Sequence, residues 1–172
     1  MDPSPAPELR VLGIDPGLQV TGYAVLEHGR GAPRVCEAGV IRGNTDGSRG
    51  TDMAQRLAHL YDGIVEVLKE YKPAVVAVEQ LFAHYDHPRT AILMGHARGV
   101  LLLAAGQCGL TVHSYTATRI KKTITGHGRA SKEQIQRAMQ RELGLDRPPE
   151  PPDVADALAA ALCHCYTLKL PA

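Results

Sequence analysis

At 172 residues with 44% hydrophobic side chains, the chain is long enough to bury one core and too short for two comfortable domains. Its 19 Lys and Arg against 18 Asp and Glu leave a net charge of +1, so net charge by itself argues for no acidic partner. No apolar run reaches the roughly 20 residues that span a bilayer and no secretory apolar segment opens the chain, so a cytoplasmic protein with no membrane partner is expected.

In chain order, the opening MDPSPAPEL, residues 1–9, is proline-rich and expected to be disordered, with order from Val11 and one domain over residues 10–170. RVLGID and TGYAVLEH read as strands joined by the turn PGLQV, with RVCEAGVIR a third, and such short connections favour antiparallel neighbours. In TDMAQRLAHLYDGIVEVLKEY the apolar positions Met53, Leu57, Leu60, Ile64, Val67 and Leu68 form a helical stripe, with Thr51 or Asp52 as N-cap and Pro73 beyond its end. A strand over Ala74 to Glu79 follows. A second helix, RTAILMGHARGVLLLAAGQCG, is apolar on most sides and ends at Gly109, and LTVHSY is a further strand. The rest is helical, with SKEQIQRAMQREL capped by Ser131 and PPDVADALAAALCHCYTLKL opening on a double proline. Three strands, helix, strand, helix, strand and helices predict an α/β architecture: a five-stranded mixed sheet with crossover helices on both faces. The cysteines Cys36, Cys108, Cys163 and Cys165 show no CxxC spacing and are read as small core residues rather than a disulfide framework or zinc site.

Acids then stand at matching places. Asp15 ends the first strand and Glu79 the fourth, each after an apolar run, so each emerges from the core, where a carboxylate is costly without a charged partner. Parallel strands of one sheet deliver both to one edge, where open α/β sheets place ligands. Asp153 and Asp156, three apart, share a face of the last helix. Four converging carboxylates repel unless cations hold them, and the hard divalent ions Mg²⁺ and Mn²⁺ suit oxygen ligands. Each acid also has an ordinary explanation: Asp15 before Pro-Gly as a turn residue, Asp153 and Asp156 as first-turn acids, Glu79 as a solvated strand end.

Two further features bear on a partner. No Asp or Glu occurs between Asp86 and Glu133, a stretch that carries Arg89, Arg98, Arg119, Lys121, Lys122, Arg129 and Lys132, so the neutral chain can present a basic face to a polyanion. Phe82, the sole phenylalanine, leads into the polar loop His84, Tyr85, Asp86, His87 and Pro88 instead of lying inside an apolar run. Its ring can stack on unpaired bases, worth about 1–3 kcal/mol in any sequence, or cover the core at the strand end.

The segments GIDPGLQVTGYAVLE, VAVEQLF, TATRIKKTITGHGRASKEQIQ and PPDVADALAAALCH resemble, in order and over nearly the whole chain, the motifs of the RuvC family of Holliday junction resolvases, which have a ribonuclease H-like fold. The resemblance implies a homodimeric, metal-dependent endodeoxyribonuclease that nicks a four-way DNA junction symmetrically in recombination and repair, working with the RuvA and RuvB branch-migration proteins. It implies Asp15, Glu79, Asp153 and Asp156 as catalytic metal ligands for two Mg²⁺ ions, with Mn²⁺ able to substitute. Asp15 then bridges the ions, Glu79 holds one, and Asp156 and Asp153 hold the other. Some relatives offer an imidazole at the position of Asp153. Phe82 would act near the junction point. Lys121 and Lys132 match basic positions of the family, Arg119, Lys122 and Arg129 are expected to add affinity without sequence information, and His84 and Arg89 belong to a loop expected to face DNA. Other readings remain: a sugar kinase or actin-like ATPase, whose first phosphate loop GIDPGLQVTGYAV also resembles but whose second half this length lacks; a non-catalytic junction binder; and a ribonuclease H-like nuclease with another nucleic-acid substrate.

Overall fold

A computed structural model describes residues 8–44, 52–81 and 88–168. The expected element order is present, and the first three strands, β1 (Leu9–Asp15), β2 (Val20–His28) and β3 (Arg34–Arg42), form an antiparallel meander. The strand β1 reaches back to Leu9, which pairs with His28, so order begins inside the segment expected to be disordered. An apolar Leu9 beside the core strand and the ion pair of Arg10 with Glu27 on β2 explain the earlier start. Helix α1 (Met53–Tyr71) crosses to β4 (Val75–Glu79), and α2 (Pro88–Gln107) crosses to β5 (Thr111–Tyr115), giving parallel pairs and the sheet order β3-β2-β1-β4-β5. The expected cap of α1 is in place at Asp52, although its side chain makes no capping hydrogen bond.

Alternation along the central strands assigns each face its helices. Leu12, Ile14, Val25, Val76 and Val78 pack against Ile64 and Leu68 of α1 and Leu101 and Ala104 of α2. Val11, Ala24, Leu26, Val75 and Ala77 pack on the other face against α3 (Ala117–Thr125), α4 (Lys132–Glu142) and α5 (Pro152–Cys165). Full burial of a Leu or Ile side chain is worth about 1.5–3 kcal/mol, so these two layers hold the sheet rigid beneath its edge.

Helix α5 lies closest to the sheet, and glycines permit it. A Cβ at Gly13 would overlap the Ala157 carbonyl and lie 2.8 Å from the Ala161 Cβ, and one at Gly22 would overlap the Asp153 carbonyl. Between Val154 and Cys165 every residue is buried except Asp156. Cys163 and Cys165 therefore lie in the core as expected, but Cys36 and Cys108 are exposed, which corrects the reading of all four as core residues. Cys36 is on the edge strand β3, whose residues are nowhere fully buried, and Cys108 follows the end of α2.

Candidate active site

The sheet register builds the site. Ile14 pairs with Val78 in the parallel ladder, so the next residues, Asp15 and Glu79, leave the same carboxyl edge side by side. Each is partly buried at the end of a fully buried run. Asp15 also pairs with Gly22, and Gly22 is the residue on which the Asp153 backbone rests, so the first turn of α5 stands over Asp15. Asp156, one helical turn on, is the position of α5 left open between buried neighbours. The turn after Asp15 is pinned by buried Thr21, whose hydroxyl donates to the Gly17 carbonyl at 2.7 Å and accepts from the Gly17 N–H at 3.2 Å.

Electrostatics ties the acids together. Burial pushes the Asp15 carboxyl up to about 8, with Asp156, Glu79 and Asp153 adding to the rise and Lys132 opposing it. Glu79 is raised by burial and by Asp156, against Lys121 and Lys132. Asp156 is likewise raised by burial and by Asp153, while Lys132 and Lys121 hold it down. Among the described residues no three His, Cys, Asp or Glu side chains are drawn to the spacing of a ready-made metal cage. The acids share one edge of the sheet.

The expected DNA-contacting residues divide. Lys121 on α3 and Lys132 at the start of α4 act on the carboxylates, so two helices deliver cations to the acid edge. Arg119 is turned elsewhere, its guanidinium 5.0 Å from the centre of the Tyr115 ring, a cation–π contact at one-turn spacing. Lys122 and Arg129 are exposed, as is Arg89 in the first turn of α2. Gly126 is the left-handed cap of α3, its N–H donating to the Lys122 carbonyl, a local reason for a glycine in the loop TGHGRASK. Phe82 and His84 lie outside the described residues, as do Tyr85, Asp86 and His87.

Two hollows open at this edge. A cavity of about 110 Å³ is lined by Asp15, Glu79, Leu81, Met94 and Ala117. A groove of about 490 Å³ is lined by Asp153, Gln19, Thr90, Leu93 and Met94, together with Arg56 of α1, a residue to which sequence reasoning gave no role. No motif marks Arg56; only the tertiary packing of α1 and α2 carries it to the groove that Asp153 also lines.

The family described as Crossover junction endodeoxyribonuclease RuvC matches residues 11–164. A crossover junction endodeoxyribonuclease RuvC of Rhodopirellula baltica is 51% identical over 163 residues, covering 94% of this chain and 88% of the relative. That of Moorella thermoacetica is 46% identical over 154 residues, covering 90% of this chain and 89% of the relative. Among solved structures, Thermus thermophilus RuvC in complex with Holliday junction substrate is similar with a TM-score of 0.83 at 33% identity, covering 92% of this chain and 94% of that one. The yeast mitochondrial Holliday junction resolvase Ydc2, at 13% identity and a TM-score of 0.64 over 95% of this chain and 80% of its own, shares the fold.

Proposed function

Because this chain belongs to the RuvC family of crossover junction endodeoxyribonucleases, with its ribonuclease H-like α/β fold, we propose that it resolves four-way DNA junctions by paired, symmetric phosphodiester hydrolysis. The cutting centre in this reading is the edge where Asp15, Glu79, Asp153 and Asp156 meet. The observation that carries it is the Asp15 carboxyl, pushed to about 8 by burial and by three neighbouring acids. An edge that resists its own negative charge is one that cations complete.

The donor set fits a hard divalent ion: four carboxylates, with no thiolate or imidazole among them. Asp15, Glu79, Asp153 and Asp156 are assigned as the residues that hold two Mg²⁺ ions, with Mn²⁺ as substitute. When bound, the ions supply a nucleophile at neutral pH and offset the charge that builds on the phosphate. The chain's own groups do the rest. Gly13 and Gly22 let α5 lie close enough to bring Asp153 and Asp156 to Asp15. Lys121 and Lys132 favour the ionised forms of Glu79 and Asp156 and attract the DNA backbone to the edge. Arg119, Lys122 and Arg129 add backbone affinity away from the acids, His84 and Arg89 are assigned as further DNA contacts, and Phe82 is assigned to the junction point.

A single nuclease domain and a homodimer belong to the same reading. In support of the dimer, Ile92 and Leu103 on α2 are 61% and 54% exposed, and Gly95, Gly99 and Gly106 on that helix have open space around them, so another helix can approach closely. Cooperation with RuvA and RuvB, recombination and repair as the setting, and the cytoplasm as the compartment follow from the family resemblance. The test is Asp15→Asn. A nuclease variant binds the junction and fails to cut it; if the variant cuts at the normal rate, the acid edge is not the cutting centre.

A further inference from the structure

We propose that Arg56 grips a phosphate of the DNA strand lying in the 490 Å³ groove beside the acid edge, and so sets which phosphodiester is presented for cutting. This rests on the resolvase reading and adds to it a positioning residue on α1.

Continuity is the first argument. Met94 lines both the cavity at Asp15 and Glu79 and the groove at Arg56 and Asp153, so a strand leaving the acids meets the groove next. Its volume falls in the ~300–1,000 Å³ range of small-molecule sites, which accommodates a nucleotide. Leu93 and Met94 offer apolar surface to a sugar or base, and Gln19 and Thr90 offer polar groups.

Charge is the second. Lys121 and Lys132 approach the acids from α3 and α4, but no residue of either helix lines the groove. Arg56 is the cation there. A DNA strand crossing the edge carries phosphates on both sides of the cut, and Arg56 supplies the side that the two lysines leave uncovered.

The third is an unmet bond. The Arg56 Nε is buried and has no hydrogen-bond partner, and no ion pair engages this guanidinium among the described residues, although Asp153 lines the same groove. A buried donor without a partner is unfavourable, and the fixed fork of a guanidinium matches two oxygens of one phosphate. The guanidinium lining the groove is therefore without an anionic partner among the described residues, and a phosphodiester there would supply acceptor oxygens.

The experiment compares wild type, Arg56→Met and Arg56→Lys. Met keeps the aliphatic stem and removes the charge; Lys keeps the charge and removes the fork. Junction affinity is measured in EDTA across a salt series, with thermal melts in parallel and nick positions mapped in Mg²⁺. The proposal expects Arg56→Met to bind roughly 10-fold more weakly, with a salt slope reduced by about 1, and to melt no lower than wild type, since an unpartnered buried donor has gone. Arg56→Lys should restore the salt slope but scatter the nicks over neighbouring phosphates. Wild-type affinity, slope and nick position in Arg56→Met overturn it, as does a binding loss that accompanies a lowered melting temperature and is not rescued by Lys. Wild type that neither binds nor cuts junctions sinks the resolvase reading itself, whereas an active wild type with indifferent Arg56 variants sinks this inference alone.

Discussion

Replacing Asp15 with Asn in protein stripped of metal removes the charge that the fold resists most. The Asp15 carboxyl sits near 8 in the fold against an ordinary value of 3.8, chiefly because burial and then Asp156 and Glu79 disfavour its ionised form. Below the ordinary value both folded and unfolded chains carry the proton and the fold is unpenalised. As pH rises the unfolded chain ionises first, the folded chain keeps its proton, and stability falls until the pH passes the folded value. Between about pH 5.5 and about pH 8.5 roughly 2.5 units of that window are crossed, a ceiling of about 3 kcal/mol at 1.36 kcal/mol per unit. Solvent screening and sharing of the charge with Glu79 and Asp156 bring the expected difference to about 1–2 kcal/mol, or roughly 2–8 °C in melting temperature for a chain of this length. The assay is thermal unfolding in EDTA at both pH values. Wild type should lose stability relative to Asp15→Asn on going to high pH, and Mg²⁺ at high pH should restore wild type more than the variant. Parallel pH dependences for the two proteins would refute the reasoning.

Other perturbations probe the same architecture. Gly13→Val should destabilise the protein by about 1–3 kcal/mol or more by forcing α5 off the sheet, measured by urea unfolding, with cutting lost along with it. Lys121→Met combined with Lys132→Met should move the acidic limb of the pH–rate profile to higher pH, because both lysines oppose the raised values of Glu79 and Asp156; single-turnover rates across pH read the shift. Ile92→Asp with Leu103→Asp, which charges the exposed face of α2, should convert a dimer into monomers in sedimentation velocity.

The acids were legible because each interrupts a strong local pattern. Asp15 and Glu79 end apolar strands, and Asp153 and Asp156 repeat at one-turn spacing on a helix whose other residues, His164 apart, are apolar. Strand direction followed from connection length, since short links favour antiparallel neighbours and helical crossovers favour parallel ones. What escaped was non-local. Arg56 borders the apolar stripe of α1, one turn before Leu60, and lines the groove only because α1 and α2 pack side by side near the β1–β2 turn. Arg119 reads as one more cation of a basic stretch, and no local pattern shows that its guanidinium lies 5.0 Å from the centre of the Tyr115 ring. Leu9 sits after a proline-rich lead that suggested disorder, and its pairing with His28 depends on a residue far along the chain. Cys36 was misread because its strand is a sheet edge, a position no local pattern encodes.

The most direct test of the central claim is strand-specific mapping of nicks on a labelled four-way DNA junction, with linear duplex and RNA–DNA hybrid alongside, in Mg²⁺, in Mn²⁺ and in EDTA. The account predicts paired nicks at symmetric positions on two strands of the junction, absent from both linear substrates and abolished by EDTA. Binding without cutting in either metal, or equal cutting of the linear substrates, would contradict it.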